Sequence, residues 1–150
     1  MKAIEVAKWF INELHPEPLK LQKLLYLAQG FSFAFYDREL FEDNIEAWVH
    51  GPVVPIVYHE YSSFKYNPIS MNYELNDFSK DDQDVLNYVK DNYAKYDSKF
   101  LEEMTHNQEP WLMSRDGLDP DEKSDKTISK SAIASYFTSF INQPEEEAWD

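Results

Sequence analysis

The sequence predicts a mainly α-helical protein, a single compact helical domain of about six helices with a small short-stranded β element near residues 44–50 and 127–128. Three observations predict this class. Apolar residues recur at helical spacing along most of the chain, and prolines or polar runs separate those segments. A length of 150 residues suits one domain that buries its own core. We expect one domain over residues 1–142 and an acidic tail over residues 143–150.

Two helices are predicted at the start of the chain. The first covers Ala3 to Leu14, where apolar residues recur every three or four positions, and the segment His15-Pro16-Glu17-Pro18 ends it because proline cannot continue a helix. The second covers Leu19 to Tyr36 and is apolar on nearly every side, which is typical of the buried centre of a domain. Gly30 lies inside it and costs about 1 kcal/mol relative to alanine. We therefore expect another element to pack closely against Gly30.

The β element is predicted next. Apolar and polar residues alternate from Asn44 to Val49, as in a short strand. His50-Gly51-Pro52 is expected to break that strand, because the residue before a proline is restricted in conformation. A helix is predicted over Val53 to Tyr61, where Pro55 suits the first turn. A polar loop follows over Ser62 to Phe78.

The second half of the chain continues with helices. An acidic loop is predicted over Arg115 to Lys126, followed by a short extended piece at residues 127–128. Ser79 and Asp82 have the S-x-x-D spacing of a capping box. The later helices are predicted to begin at or near the following residues: Ser79, Ser98, Pro110 and Ser129.

Charge restricts the class of partner. The chain has 28 acidic and 14 basic residues, a formal net charge of −14. Such a chain repels phosphate backbones and anionic lipid headgroups, so we expect neither direct nucleic-acid binding nor membrane binding. A basic protein partner is favoured, because opposite charges speed encounter. The alternative is that the acidity only improves solubility.

Composition also bears on compartment and chemistry. The chain has no cysteine, which excludes disulfides, cysteine-ligated zinc, iron–sulfur clusters and a thiol nucleophile. No secretory signal and no run of about 18 apolar residues is present, so we expect a cytoplasmic protein. Three glycines, too far apart in the sequence for G-x-G-x-x-G or a P-loop, exclude both nucleotide-binding motifs.

The histidines give no metal motif. His59-Glu60 begins the H-E-x-x-H pattern of zinc proteases, but Ser63 stands where the second histidine is required. We therefore predict no catalytic, cofactor-binding or metal-ligating residues, although a carboxylate pair formed only by the fold stays open. A metal or hydrolase site that uses His50, His59 or His106 remains the alternative.

One segment has two interpretations. In Glu46 to Pro55, the Gly51-Pro52 step fixes a sharp corner. Trp48 and His50 would then present a rigid recognition edge to a partner. The other interpretation, which we favour for the Gly-Pro step, is a strand-to-helix corner that closes the core.

Four separated motifs resemble those of one family. They are Leu21–Gly30 (LQKLLYLAQG), Glu46–Pro55 (EAWVHGPVVP) followed by Val57-Tyr58, Thr105-His106 with Pro110-Trp111, and Ile128-Ser129 with Tyr136-Phe137. Together they resemble the Panacea domain, the SocA-like antitoxin family found on prophages and genomic islands. The resemblance covers roughly Leu19 to Phe137, within the predicted domain of residues 1–142.

The resemblance implies an antitoxin that is not an enzyme and needs no cofactor. It would neutralise a cognate protein toxin, encoded by an adjacent gene, through direct binding. Because the family pairs with many unrelated toxins, the toxin-specific surface should lie on variable exposed positions. The motif residues that the resemblance marks as structural or partner-binding are Gln22, Lys23, Tyr26, Gln29, Trp48, His50, Gly51, Pro52, Tyr58, Thr105, His106 and Trp111.

Two further alternatives stay open. The chain could be an adaptor that delivers a toxin to an ATP-dependent protease, with the tail Glu147-Ala148-Trp149-Asp150 as a docking handle. It could also be a structural or regulatory phage protein, since fold alone does not settle function. The many aromatic residues permit a homodimer but do not require one.

Overall fold

The computed structural model describes residues 1–143. This part of the chain forms seven α-helices, a short 3-10 helix (Ser62–Phe64) and three short strands, which confirms the mainly helical class. Of the acidic tail predicted over residues 143–150, only Gln143 lies within the described residues. The helices are α1 Ala3–Leu14, α2 Pro18–Tyr36, α3 Pro55–Tyr61, α4 Lys80–Tyr93, α5 Ser98–His106, α6 Glu109–Ser114 and α7 Lys130–Ile141; the strands are β1 Ile45–Trp48, β2 Gly51–Val53 and β3 Thr127–Ile128.

Helix α2 is the centre of the fold, as its apolar composition predicts. Every residue from Leu21 to Ser32 is buried, because α1, α3, α4, α5, α7 and β2 all pack around it. A Cβ atom on Gly30 would overlap the ring of Phe137 in α7. The expected close approach at Gly30 is therefore confirmed, and it explains why this position of the helix carries no side chain.

The predicted strand ends at Trp48, before His50-Gly51-Pro52 as expected, but Gly51 and Pro52 belong to a second strand that was not predicted from the sequence. The chain turns at Val49 and His50 and returns as β2, which pairs antiparallel with β1 so that Trp48 faces Gly51. Gly51 permits this return because its φ of +109° is strained for any residue with a side chain. Pro52 is tolerated because β2 is an edge strand in the order β2-β1-β3. The following helix consequently begins at Pro55 and not at Val53.

Several predicted helix starts are confirmed by their caps. Ser79 Oγ accepts a hydrogen bond from the backbone N–H of Asp82 at 3.1 Å, and Ser129 Oγ accepts one from Ala132 at 3.1 Å. Helix α5 begins at Ser98 as expected, with the preceding Asp97 supplying the cap. These local signals fix where the helices begin.

Candidate protein-binding site

Buried amides on α2 hold irregular segments of the chain in place. Gln22 Oε1 accepts a hydrogen bond from the backbone N–H of Val54 at 2.8 Å, just before α3. Gln29 Oε1 accepts one from Leu40 at 2.8 Å, and Gln29 Nε2 donates to the carbonyl oxygen of Phe41 at 2.9 Å. Both side chains therefore satisfy backbone groups that have no helix or strand partner. Gln29 attaches the loop at Leu40 and Phe41 to the central helix, and Gln22 attaches the chain that follows the β1–β2 hairpin.

Lys23 joins α2 to the hairpin. Its side chain is fully buried, and Nζ donates a hydrogen bond to the carbonyl oxygen of Pro52 at 3.2 Å. A Cβ atom on Gly51 would lie 2.7 Å from Lys23 Cε and 3.0 Å from Thr105 Oγ1. Three sequence motifs that are far apart along the chain thus meet at Gly51.

A small charge cluster surrounds Glu102, which is half-buried on α5. Glu102 Oε2 lies 2.8 Å from His50 Nδ1 and 3.9 Å from His106 Nε2. Burial lowers the pKa of Lys23 to about 7, against the opposing effect of the Glu102 carboxylate. Burial likewise lowers the pKa of His106, and Glu102 again acts in the opposite direction. This Glu102 cluster connects α2, α5 and the turn of the hairpin.

Two further bonds lock the same region. Trp111 Nε1 donates a hydrogen bond to the carbonyl oxygen of Trp48 at 2.7 Å, and the Trp111 ring stacks on His106 with 4.2 Å between centroids. The hydroxyl of Tyr26 donates to Gln108 Oε1 at 2.8 Å, and burial raises the pKa of Tyr26 well above its usual value. The strand, α5 and α6 are therefore fixed relative to α2.

Above this support lies an exposed surface with two hollows. Trp48, His50 and Tyr58 line both hollows, and we call these three residues the aromatic wall. The first hollow, of about 720 Å³, is completed by Val49, Asp121 and residues 123–125, and the second, of about 530 Å³, lies towards the start of α2. The rings of Trp48 and Tyr58 meet edge to face at 5.1 Å. Trp48 Nε1 also donates to Glu46 Oε1 at 2.9 Å, which fixes the orientation of its ring.

The histidines do not assemble a metal site in residues 1–143. No three histidine, aspartate or glutamate side chains there lie close enough together to hold an ion. His50 and His106 share Glu102, whereas His59 contacts the ring of Tyr58 on α3. Within the same residues, no helix is long and apolar enough to cross a membrane.

A comparison with protein families identifies the family of this chain. The family model described as "Antitoxin SocA-like, Panacea domain" matches residues 21–112, more than half of the chain. The chain belongs to the SocA-like antitoxin family. The matched residues run from α2 to α6, so they contain all the contacts made by Lys23, Gly51 and Glu102. Searches with this chain found no match among curated proteins and none among solved structures.

The Panacea motif residues divide by burial. The exposed ones are His50 and Tyr58, and the half-buried ones are Trp48 and His106. The others are buried, and they are Gln22, Lys23, Tyr26, Gln29, Gly51, Pro52, Thr105 and Trp111. Lys23, Thr105 and Trp111 therefore support the hairpin that carries Trp48 and His50, whereas Gln29 holds the segment at Leu40 and Phe41.

Sequence reasoning missed two charged residues of this region. Glu102 lies four residues before His106, so helical spacing places both on one face, but nothing local indicates that His50 joins them. Arg115 falls in the predicted acidic loop and is nevertheless buried. It donates hydrogen bonds to the carbonyl oxygens of Ala47 at 3.0 Å and Asp119 at 3.2 Å. It thereby closes the loop beside the first hollow.

Proposed function

We propose that this protein is the antitoxin of a toxin–antitoxin pair and that it neutralises a cognate protein toxin by binding it directly. The toxin would be encoded by an adjacent gene and neutralised in the cytoplasm. The observation that carries the proposal is the family match over residues 21–112. The proposed mechanism is occlusion, in which the bound antitoxin covers the active surface of the toxin and performs no chemistry of its own.

The aromatic wall and its two hollows are the proposed toxin-binding surface. Aromatic side chains supply much of the energy of protein interfaces, and rigid ones lose little entropy on binding. Tyr58 is 38% exposed, and the ring of Trp48 that holds it is itself fixed by Glu46. The concave regions on both sides allow a partner to enclose the wall. A stable interface buries about 1,200–2,000 Å² in total.

Charge supports a basic toxin surface. The formal net charge of −14 attracts a positively charged partner over long range, which raises the association rate at low ionic strength. Four acidic residues line the two hollows, against two lysines, and they are Glu17, Glu102, Asp121 and Asp125. We therefore expect the association rate to fall as salt is added.

Co-expression with the adjacent gene tests the proposal. The adjacent product, expressed alone, is expected to stop growth, and expression of this chain from a second plasmid is expected to restore growth. The control is the same second plasmid with a stop codon at Lys2. A product that is harmless alone, or that stays toxic beside this chain, contradicts the antitoxin function.

The half-life of the toxin in the rescued cells separates occlusion from delivery to a protease. Under occlusion the toxin persists in a complex that copurifies with this chain. Rapid toxin loss that stops when the ATP-dependent proteases are deleted would instead support the adaptor function.

A chain ending at Asn142 is expected to rescue growth fully, because we propose that residues 1–142 form the complete binding domain.

A further inference from the structure

We infer that the second hollow, the one lined by Glu17, Glu102, Trp48 and Tyr58, binds the guanidinium group of an arginine side chain. In the cell this arginine would be presented by the toxin, so its source rests on the proposed function. The recognition itself is a property of this chain alone. We call this region the arginine hollow.

The size of the hollow suits one long side chain. Its volume of about 530 Å³ exceeds that of an arginine side chain and leaves room for water. It lies between the start of α2, the start of α5 and the end of α3, and Tyr66 stands at its edge with 86% of its surface exposed. An arginine on a partner can therefore enter without rearrangement of the backbone.

The aromatic walls provide the first element of recognition. Trp48 and Tyr58 line the hollow, and the polar edge of Trp48 is already satisfied by Glu46. The indole N–H already has a partner, so the ring contributes an aromatic surface to the lining of the hollow. A guanidinium group within about 6 Å of such a ring gains a favourable cation–π interaction.

Two oriented carboxylates provide the second element. Glu17 Oε1 accepts a hydrogen bond from Ser98 Oγ at 2.8 Å, and Glu102 Oε2 is held by His50. Within residues 1–143, Glu17 Oε2 and Glu102 Oε1 accept no hydrogen bond. Each carboxylate is therefore positioned through one oxygen, and the other has no hydrogen-bond partner among these residues.

Guanidinium fits this arrangement better than other charged groups. Its planar fork of five N–H donors can reach carboxylates while its face stacks on an aromatic ring, which the compact ammonium of lysine cannot do. An anion is disfavoured, because two carboxylates face the hollow and Lys65 is its only strong base among the lining residues. Together, the aromatic lining and the two carboxylates favour an arginine side chain over lysine or an anion.

The experiment uses small probes and the purified full-length chain. N-acetyl-arginine-N-methylamide is titrated while ¹H–¹⁵N NMR follows the indole N–H of Trp48, identified by its absence in Trp48→Phe. The neutral isostere N-acetyl-citrulline-N-methylamide and the lysine analogue are titrated in parallel. We expect saturable shifts at Trp48 and Tyr58 with the arginine probe, at millimolar affinity. Binding of the citrulline and lysine probes should be at least fivefold weaker.

Carboxylate variants make the test specific. Glu17→Gln leaves the Glu102 cluster intact and is expected to weaken arginine binding at least threefold. Glu102→Gln should do the same, with a thermal melt to confirm that the variant folds. Glu103→Gln is the matched control, because Glu103 neighbours Glu102 on α5 but is exposed and does not line the hollow.

Three results would overturn the inference: equal shifts with the citrulline probe, no saturable shift with the arginine probe, or unchanged affinity in both Glu17→Gln and Glu102→Gln. None of them bears on growth rescue, because no toxin is present in this titration. Conversely, failed rescue beside intact arginine binding would reject the antitoxin function and leave the hollow's specificity standing.

Discussion

Lys23 donates a hydrogen bond to the carbonyl oxygen of Pro52 at 3.2 Å from a position with no solvent exposure. This bond joins the central helix α2 to the edge strand β2. It depends on Gly51, because any side chain there would collide with the lysine. The half-buried Trp48 and the exposed His50 are carried on the hairpin that this bond holds in place, so the buried lysine positions the proposed binding surface.

The buried lysine predicts how stability depends on pH. Its pKa is about 7 in the folded chain and near 10.5 when unfolded. Between these values the unfolded chain binds more protons, so the free energy of unfolding rises with pH. The expected rise from pH 7 to pH 9 is roughly 2 kcal/mol, measured by urea denaturation. Lys23→Met, which cannot titrate, should lack this rise, and an equal slope in both proteins would contradict it.

Gly51 predicts a large loss of stability on substitution. Gly51→Ala combines a φ of +109° with contacts of 2.7–3.1 Å to Lys23 and Thr105, so we expect a loss of about 3 kcal/mol or more. Gly117 is the matched control, because its φ is +86° but nothing lies within 4 Å of its added Cβ. Gly117→Ala should cost only about 1 kcal/mol. Equal losses at both positions in chemical denaturation would show that Gly51 is required by backbone conformation alone.

The contact between α2 and α7 predicts coupling between Gly30 and Phe137. Gly30→Ala places a methyl group on the Phe137 ring, and overpacking of this kind costs about 1–3 kcal/mol. Phe137→Leu removes part of the ring and should relieve the collision. The double variant is therefore expected to lose less stability than the sum of the two single variants, by roughly 1 kcal/mol. Additive losses of stability would contradict a direct contact between residue 30 and the Phe137 ring.

The aromatic wall predicts a binding defect without a folding defect. Tyr58→Ala should weaken binding to the toxin at least tenfold and leave the thermal midpoint within a few degrees of the wild type, because the Tyr58 ring is 38% exposed. Phe140→Ala is the control, since Phe140 is similarly exposed at 42% but lies on α7 and lines neither hollow of the wall. Calorimetric titration measures both. Equal affinity for the two variants would move the interface away from the wall.

Local signals in the sequence determine much of this fold. Helical periodicity identifies α2 as buried, and side-chain caps fix the starts at Ser79 and Ser129, because both depend on neighbouring residues. The hairpin was not predictable from the alternation alone. Its return strand is only three residues long and contains Pro52, and its position depends on a lysine 29 positions away.

The candidate site shows the same division. The family motifs indicate which residues matter, but they do not separate the buried Lys23 from the exposed Tyr58, since both lie in equally recognisable segments. The role of Glu102 was not predicted, because its partner His50 lies on another element. The burial of Arg115 was not predicted, because an acidic loop is expected to be exposed. Such pairings are set by tertiary packing, which local pattern does not encode.

If binding alone neutralises the toxin, inhibition must occur in a purified system that contains no protease. The adjacent gene product is purified, its toxic activity is followed in a cell-free translation or growth-independent assay, and purified antitoxin is added with no protease present. Loss of activity that is complete at one equivalent, and shifted to higher concentration by Tyr58→Ala but not by Phe140→Ala, is the predicted result. Full toxic activity at a tenfold excess of antitoxin would contradict it.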